Sequence, residues 1–190
     1  NISPSMLKKM SDTIRHRGPD DEGYAFFYKT QQQIETKLYG GEDTPYDTFH
    51  SNLPYCPNGT MSGDEEKSYQ LALGHRRLSI IDLSPTGHQP MCYKNRYWII
   101  YNGEIYNYLE IKKELITLGH TFISKSDTEV ILAAYDEWGV DCQHHFIGMW
   151  AFLIFDTKTG TLFGSRDRFG IKPLYYWFSE EGYLSFASEI

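Results

Sequence analysis

The most constraining feature of this sequence is a continuous apolar run, MWAFLIFD, at residues 149–156. A run of this length, bounded by turn residues, is typical of a β-strand in a protein core. The turn sequence TKTG follows it, and TLFGSRD, PLYYW and YLSFAS then have the composition of further strands. The C-terminal part of the chain therefore predicts an antiparallel meander.

Helical patterns precede this meander. Ser3 and Pro4 are typical of a helix start, and the apolar residues after them recur at helical spacing as far as Gly18. Two more amphipathic stretches end at Gly119 and Gly139, as helices commonly do. Three helices are therefore predicted.

Short β-type runs at 71–73, 78–81 and 97–101 lie between the first helix and the other two. Ser126 and Glu129, at the start of the last predicted helix, have the spacing of a capping box. Strands, then helices, then more strands favour two sheets with helices packed on them, which is an α+β layered domain.

The segment 29–69 mixes Gln, Gly, Pro, Asp and Ser with little periodicity, and it is interpreted as an irregular surface insertion. Otherwise the 190 residues are expected to form one domain, 1–190. The chain begins at Asn1 and enters a helix pattern almost at once, so we expect its natural N-terminus to lie upstream.

Composition narrows the class of function. The formal net charge of −7 and the lack of a basic stripe argue against nucleic-acid binding. No apolar run reaches membrane-spanning length and no signal-peptide pattern opens the chain, so we expect a cytoplasmic protein without a membrane partner. The three cysteines are widely spaced and predict neither a disulfide framework nor a zinc site.

Two pairs of residues have a functional and a structural interpretation. Arg76 and Arg77 are suited to grip a carboxylate ligand, or they form a surface pair bonded to local acids. Asn102 and Gly103 follow a predicted strand, where a side-chain amide and a backbone N–H can stabilise an oxyanion. Asn-Gly is also the commonest two-residue hairpin turn, so both interpretations stay open on these residues alone.

Acidic residues are ambiguous in the same way. Asp127 lies in the first turn of a predicted helix, where a carboxylate binds free N–H groups, and it is equally suited to meet a substrate ammonium. Glu104 has the same two interpretations. The seven histidines show no metal-type spacing with carboxylates, and we expect most of them to cap or to pack.

Six segments in a fixed order resemble one known family. They are HRGPDDEG, GHRRLSIIDLSPTGHQPM, NGEIYN, SDTEVIL, GMWAFLIFD and RDRFGIKPLYY. This order is similar to the class II glutaminase domain of glutamine-hydrolysing asparagine synthetases, over about residues 2–190. The resemblance implies a four-layer α/β/β/α sandwich of the N-terminal-nucleophile hydrolase type, with two mainly antiparallel sheets.

The resemblance also implies roles for individual residues. The arginine of the RLSI segment falls on Arg77, which would hold the glutamine α-carboxylate. Asn102 and Gly103 would form the oxyanion hole, and Glu104 and Asp127 would approach the substrate ammonium. The nucleophile of the family is an N-terminal cysteine in a CGIxG strand, whose own α-amino group serves as base.

The chain departs from the family at this point. No CGIxG segment occurs in the 190 residues, and Cys56, Cys92 and Cys142 lie in other contexts, so we expect this piece to be catalytically inactive. The synthetase domain, with its ATP and Mg, is not expected here, since no SGGxDS loop is present.

The full-length enzyme would use ammonia from glutamine to amidate aspartate or a related carboxylate. Two alternatives stay open: an inert glutaminase-like scaffold, or the glutaminase domain of another class II amidotransferase. A homodimer is a further expectation, because removing a core strand would leave a sheet edge unpaired.

Overall fold

The computed structural model describes residues 2–61, 68–79 and 84–190. Within these ranges the helices are α1 (Pro4–Thr13), α2 (Tyr46–Phe49), α3 (Tyr108–Thr117) and α4 (Asp127–Trp138). The strands are β1 (Asp21–Lys29), β2 (Ile34–Gly40), β3 (Leu71–Arg77), β4 (Met91–Tyr93), β5 (Tyr97–Ile105), β6 (Gly148–Asp156), β7 (Thr161–Arg166), β8 (Tyr175–Phe178) and β9 (Leu184–Ala187). The α+β class predicted from the sequence is confirmed.

Two antiparallel sheets form the centre of the domain. Their strand orders are β2-β1-β3 and β4-β5-β6-β7, and β8 pairs with β9 in a separate hairpin. Helix α1 contacts β3 of the first sheet, α4 contacts β4 and β5 of the second, and α3 lies against α4. Because β3 also contacts β5, the order of layers is helix, sheet, sheet, helices. The predicted α/β/β/α sandwich is confirmed.

Strand β1 supplies apolar side chains to both sides of the first sheet. Phe27 packs on Trp98 and Phe155 of the second sheet, with ring centroids 5.6 and 4.8 Å apart. Its neighbour Phe26 points the opposite way and packs on Tyr69, at 4.9 Å, in a smaller cluster that includes Leu7 of α1. Alternation along one strand therefore fills two layers at once.

The apolar run predicted as a strand is confirmed as β6, which is buried from Trp150 to Asp156 and lies between β5 and β7. Burying one large apolar side chain contributes about 1.5–3 kcal/mol, so this strand is a major source of stability. The predicted meander is confirmed only as far as β7, since the described part of β8 pairs with β9 and not with β7. The chain leaves the sheet after Arg166 because the next loop folds around Asp167.

Two predictions about irregular and strand segments are wrong in part. The segment 29–69 is not irregular throughout, since it holds α2 and also β2, which pairs with β1 over seven residues. The alternation of polar and apolar residues in β2 is weak because its side chains are only half-buried. The strand predicted at 78–81 is not observed at Leu78 and Ser79, and its other two residues lie outside the described ranges.

The predicted ends of the later helices are confirmed. Gly119 and Gly139 follow α3 and α4 closely and have φ angles of 96° and 58°, which only glycine adopts without strain. None of the described helices is long and apolar enough to cross a lipid bilayer. The predicted capping box is wrong, because the Ser126 side chain makes no cap and Glu129 reaches further back, to the N–H groups of Ile123 and Ser124.

A buried charge cluster fastens α1 to the first sheet. The guanidinium of Arg76, with 1% of its side chain exposed, contacts Glu22 at 3.1 Å, Asp12 at 2.7 Å and Asp43 at 2.6 Å. Glu22 also accepts a hydrogen bond of 2.7 Å from the hydroxyl of Tyr24. Removing one partner from such a cluster leaves an uncompensated buried charge, which costs more than the cluster contributes as a whole.

We therefore expect Arg76→Leu to lower the free energy of unfolding by about 3–5 kcal/mol, because the fully buried Glu22 carboxylate loses its cation, whereas Asp43 keeps its contact with Arg15. Lys94→Ala is the matched control, since its bond to Asp136 is made by an exposed lysine and is worth about 1 kcal/mol or less. Urea denaturation of both variants measures the difference. Equal losses in the free energy of unfolding would show that the buried Arg76 cluster contributes no more to stability than an exposed ion pair.

Candidate functional site

The candidate site is built where β5 runs past the end of its neighbour β4. Strand β4 pairs only with residues 97–99 of β5, which continues to Ile105. On the other side, β6 pairs with β5 along its whole length. Beyond Ile99, the backbone groups of β5 that point away from β6 therefore need partners other than a strand.

The hydrogen bonds of β6 show which groups these are. Trp150 directs both its N–H and its carbonyl to Asp167, on the β7 side of β6. Its partner Gly103 is therefore a non-hydrogen-bonded position of the β5–β6 ladder, and the Gly103 N–H points toward the open edge. Tyr101 and Ile105 have the same orientation as Gly103, because they are two residues away on the same strand.

Side chains satisfy the two N–H groups on either side of Gly103. The N–H of Tyr101 donates to Oε1 of Gln89 at 2.7 Å, and the N–H of Ile105 donates to Oδ2 of Asp127 at 3.0 Å. Asn102 and Gly103 are thus internal residues of β5, paired with β6. The hairpin-turn interpretation of this dipeptide is wrong.

A cavity of about 930 Å³ opens beside this edge, between α1, β3, β5 and the start of α4. All five residues singled out from the sequence line it: Arg77, Asn102, Gly103, Glu104 and Asp127. They come from β3, β5 and α4, so the fold brings together groups that lie up to fifty residues apart in the chain. The sequence-derived candidates therefore line one cavity.

Asp127 is the most buried acid of this site. Its Oδ2 accepts hydrogen bonds from the hydroxyl of Tyr101 at 2.8 Å and from the N–H of Ile105 at 3.0 Å. Burial raises the pKa of Asp127, and these two bonds oppose the rise because they favour the carboxylate. Glu104, by contrast, is exposed at the rim of the cavity.

The two arginines have different environments. Arg77 lies against Gly87, where an added Cβ would come within 2.1 Å of Nη2, and its Nη1 contacts the carbonyl of Ser84 at 3.4 Å and Asp21 at 3.9 Å. The guanidinium of Arg76 makes its contacts within the buried cluster under α1. The alternative interpretation, a surface pair bonded to local acids, is therefore wrong about the surface, since neither side chain is exposed. It is right that Arg76 binds acids.

Several polar residues of the site were not singled out from the sequence. His75 donates from Nε2 to the carbonyl of Tyr101 at 3.0 Å, and His88 contacts Asp21 at 2.8 Å. His75 and Gln89 thus both bond the backbone of Tyr101 in β5, whereas His88 bonds β1. For Tyr101 the sequence did hold a signal: it lies two residues before Gly103 on the same strand, and residues two apart on a strand share a face.

The loop after β7 contributes Lys172 to the cavity wall. Its shape is set by Asp167, which accepts from the N–H groups of Phe169, Ile171 and Lys172 at 3.0–3.1 Å, and from Trp150 at 3.3 Å. One carboxylate thus ties the loop to β6. Those bonds also hold the Asp167 pKa below its usual range, despite the opposing effect of burial.

The three thiols lie elsewhere. All are buried, and the cavity lining includes none of them. Burial raises the pKa of Cys56 to about 11 and those of Cys92 and Cys142 to about 12, so they are protonated at neutral pH. Among the described residues, no group of three histidine, cysteine or acidic side chains is arranged to hold a metal ion.

Comparison with protein families gives a direct match. Residues 59–190 match the family described as "Glutamine amidotransferase domain". Asparagine synthetase [glutamine-hydrolyzing] 1 of Bacillus subtilis is 40% identical over 172 residues, which is 90% of this chain and 21% of the relative. Asparagine synthetase [glutamine-hydrolyzing] 3 of the same organism is 46% identical over 125 residues, 64% of this chain and 20% of the relative. The chain thus spans about a fifth of the length of these two relatives.

Solved structures have a similar fold. Glutamine phosphoribosylpyrophosphate amidotransferase from B. subtilis superposes with a TM-score of 0.68 at 23% identity, covering 97% of this chain and 39% of that one. A second structure, described as the allosteric regulatory enzyme of purine biosynthesis, has a TM-score of 0.64 at 21% identity, with 96% and 39% covered. At these identities the likeness concerns the fold.

The His75 ring, whose Nδ1 is buried without a hydrogen-bond partner among the described residues, predicts a pH-dependent stability. Burial lowers its pKa from 6.5 to about 4, so below pH 6.5 the unfolded chain binds a proton that the folded chain refuses, and stability falls as pH decreases through this window. We expect this histidine to remove about 2 kcal/mol between pH 7 and pH 5. Urea denaturation at both pH values should show this loss reduced in His75→Gln and unchanged in His144→Gln, which alters an exposed histidine. An unaltered loss in His75→Gln contradicts the prediction.

Proposed function

Because this chain belongs to the glutamine amidotransferase domain family and is similar to the glutaminase domains of asparagine synthetases, we propose that its cavity binds glutamine. One observation carries the proposal. A guanidinium, two carboxylates and an amide beside an outward-pointing N–H line a single cavity, although they come from three separate elements. This set complements an amino acid that bears a carboxylate, an ammonium and a side-chain amide.

Each group has a part in this proposal. Arg77 binds the α-carboxylate through its planar fork, which matches a carboxylate in two hydrogen bonds. Asp127 and Glu104 bind the ammonium. Asn102 and the N–H of Gly103 lie at the open edge of β5, where they stabilise the negative charge that develops on the amide oxygen during attack.

The reaction proceeds through a cysteine thiolate. Its sulfur attacks the amide carbon, the tetrahedral oxyanion collapses, ammonia leaves with a proton from the α-amino group, and water then hydrolyses the thioester to glutamate. The three cysteines of the chain are poor candidates because they are buried, protonated and outside the cavity lining. We therefore assign the nucleophile to an N-terminal cysteine of the CGIxG type, which residues 1–190 do not contain.

The whole protein is proposed to be an asparagine-synthetase-type ligase. In it, a synthetase domain with ATP and Mg would use the released ammonia to amidate aspartate or a related carboxylate. Another class II amidotransferase is the second candidate, since a phosphoribosylpyrophosphate amidotransferase shares the fold. We also propose a cytoplasmic location and a homodimer. The homodimer is supported by β3, which among the described strands pairs on one side only and so presents an open sheet edge.

Glutamine binding tests the role of Arg77. We expect Arg77→Ala to weaken glutamine binding by about ten- to a hundredfold, since a lost charge-assisted bond costs about 1.5–3 kcal/mol. Arg77→Lys should be intermediate, because it keeps the charge without the fork. Lys94→Ala, on an exposed side chain outside the cavity, is the control. Isothermal titration calorimetry with the 190-residue chain gives the dissociation constant of glutamine for each variant. If Arg77→Ala binds glutamine as tightly as the unchanged chain does, this arginine is not part of the site.

Ammonia release tests the assignment of the nucleophile. We expect residues 1–190, purified free of other glutaminases, to release no detectable ammonia from glutamine, because each thiol is buried and protonated. The same chain preceded by a Cys-Gly-Ile segment with a free amino group should release glutamate and ammonia. Turnover by the unextended chain that disappears in a triple Cys→Ala variant would overturn the assignment, and glutamine binding without turnover in the extended chain would favour an inert scaffold.

A further inference from the structure

Tyr101 occupies a position between the two ends of the candidate site. Its hydroxyl donates to Oδ2 of Asp127 at 2.8 Å, and its side chain is buried. Its ring also supports the glycine of the oxyanion pair, since a Cβ added to Gly103 would lie 2.7 Å from Cε2 of the ring. One side chain therefore contacts both the acid at one end and the backbone at the other.

The backbone of Tyr101 is held independently of this contact. Its N–H donates to Oε1 of Gln89 at 2.7 Å, and its carbonyl accepts from Nε2 of His75 at 3.0 Å. His75 belongs to β3 of the first sheet and Gln89 precedes β4 of the second, so groups from both sheets fix the backbone of Tyr101. With both backbone groups bound, the ring and hydroxyl have little freedom to move away from Asp127.

We propose that Tyr101 is a positioning residue of the glutamine site, whose hydroxyl orients the Asp127 carboxylate toward the substrate ammonium and whose ring sets the place of Gly103. This inference rests on the proposed function and adds a residue to it. Oδ2 of Asp127 accepts from Tyr101 and from the N–H of Ile105, and these two bonds fix the orientation of the carboxylate at the cavity wall. A carboxylate that is bound on one oxygen presents the other in a fixed direction.

The hydroxyl also has an electrostatic effect that a packing role lacks. Burial raises the pKa of Asp127, and the bond from Tyr101 works against that rise. Removing the hydroxyl should therefore raise the pKa further, so that the carboxylate is lost at a higher pH. The backbone N–H groups of Ile105 and of the α4 N-terminus also face Asp127, and the other ionisable side chains of the cavity include Arg17, His75, Arg77, Glu104, Lys172 and Glu189. Observing Asp127 itself separates its titration from theirs.

The test uses Tyr101→Phe, which keeps the ring, with Tyr93→Phe as the matched control. Tyr93 is equally buried, but its hydroxyl contacts His120 at 3.0 Å, away from the cavity lining. Carbon-13 NMR of the Asp127 carboxyl should show a higher pKa in Tyr101→Phe than in the unchanged chain. Glutamine affinity from calorimetry should fall about tenfold at a pH between the two Asp127 titrations measured by NMR, and less at a pH above both, where the carboxylate is ionised in both proteins. Tyr93→Phe should alter neither quantity.

Two outcomes overturn the proposal. An Asp127 pKa that does not move in Tyr101→Phe, or an affinity loss that is equal at every pH, would give Tyr101 a packing role only. A double-mutant cycle guards against a folding defect: in an Asp127→Asn background, Tyr101→Phe should have almost no further effect on affinity, and a full further loss counts against the proposal. If the unchanged chain binds no glutamine, the proposed function itself fails, whereas intact binding with an unmoved titration rejects only the role of Tyr101.

Discussion

The candidate site depends on a mismatch in length between two neighbouring strands. Strand β5 has nine residues, β4 has three, and the excess of β5 presents backbone groups to an edge without a strand. Buried N–H groups need acceptors, and side chains of Gln89 and Asp127 supply them on either side of Gly103. The Gly103 N–H points toward the cavity because Gly103 faces Trp150 at a non-hydrogen-bonded position of the ladder with β6.

The same edge needs a rigid support, and the first sheet provides it. The hydrogen bond from His75 to the Tyr101 carbonyl joins β3 to β5 across the interface between the sheets. Beside His75, the charges of Arg76 are neutralised under α1, while Arg77 lies in the cavity wall. Alternation along β3 therefore turns Arg76 toward α1, and His75 and Arg77 toward the opposite face, where one bonds β5 and the other lines the cavity.

Much of this arrangement was predictable from the sequence, and the reasons for the failures are physical. The continuous run of β6 and the glycines after α3 and α4 identify their elements because the signal is local. Strand β2 was missed because its side chains are half-buried, which removes clear alternation. The five site residues were assigned by resemblance. The period of two along β5 could have placed Tyr101 on the face of Gly103, but its bond to Asp127 joins β5 to α4. The bonds of Gln89 and His75 to the Tyr101 backbone likewise join segments that are distant in the sequence, which no local pattern contains.

In the loop held by Asp167, the residues that fix the path of the backbone differ from the residues whose side chains are exposed. Its backbone shape is encoded by one carboxylate, which binds three N–H groups of the loop, and by Arg166, which bonds the carbonyls of Gly170 and Lys172. The side chains it displays, Phe169 at 88% exposure and Ile171 at 57%, make no part of that shape. A substitution at Phe169 or Ile171 should therefore alter the apolar surface that the loop presents while Lys172 stays in the cavity wall, since the backbone bonds that place Lys172 do not involve these two side chains.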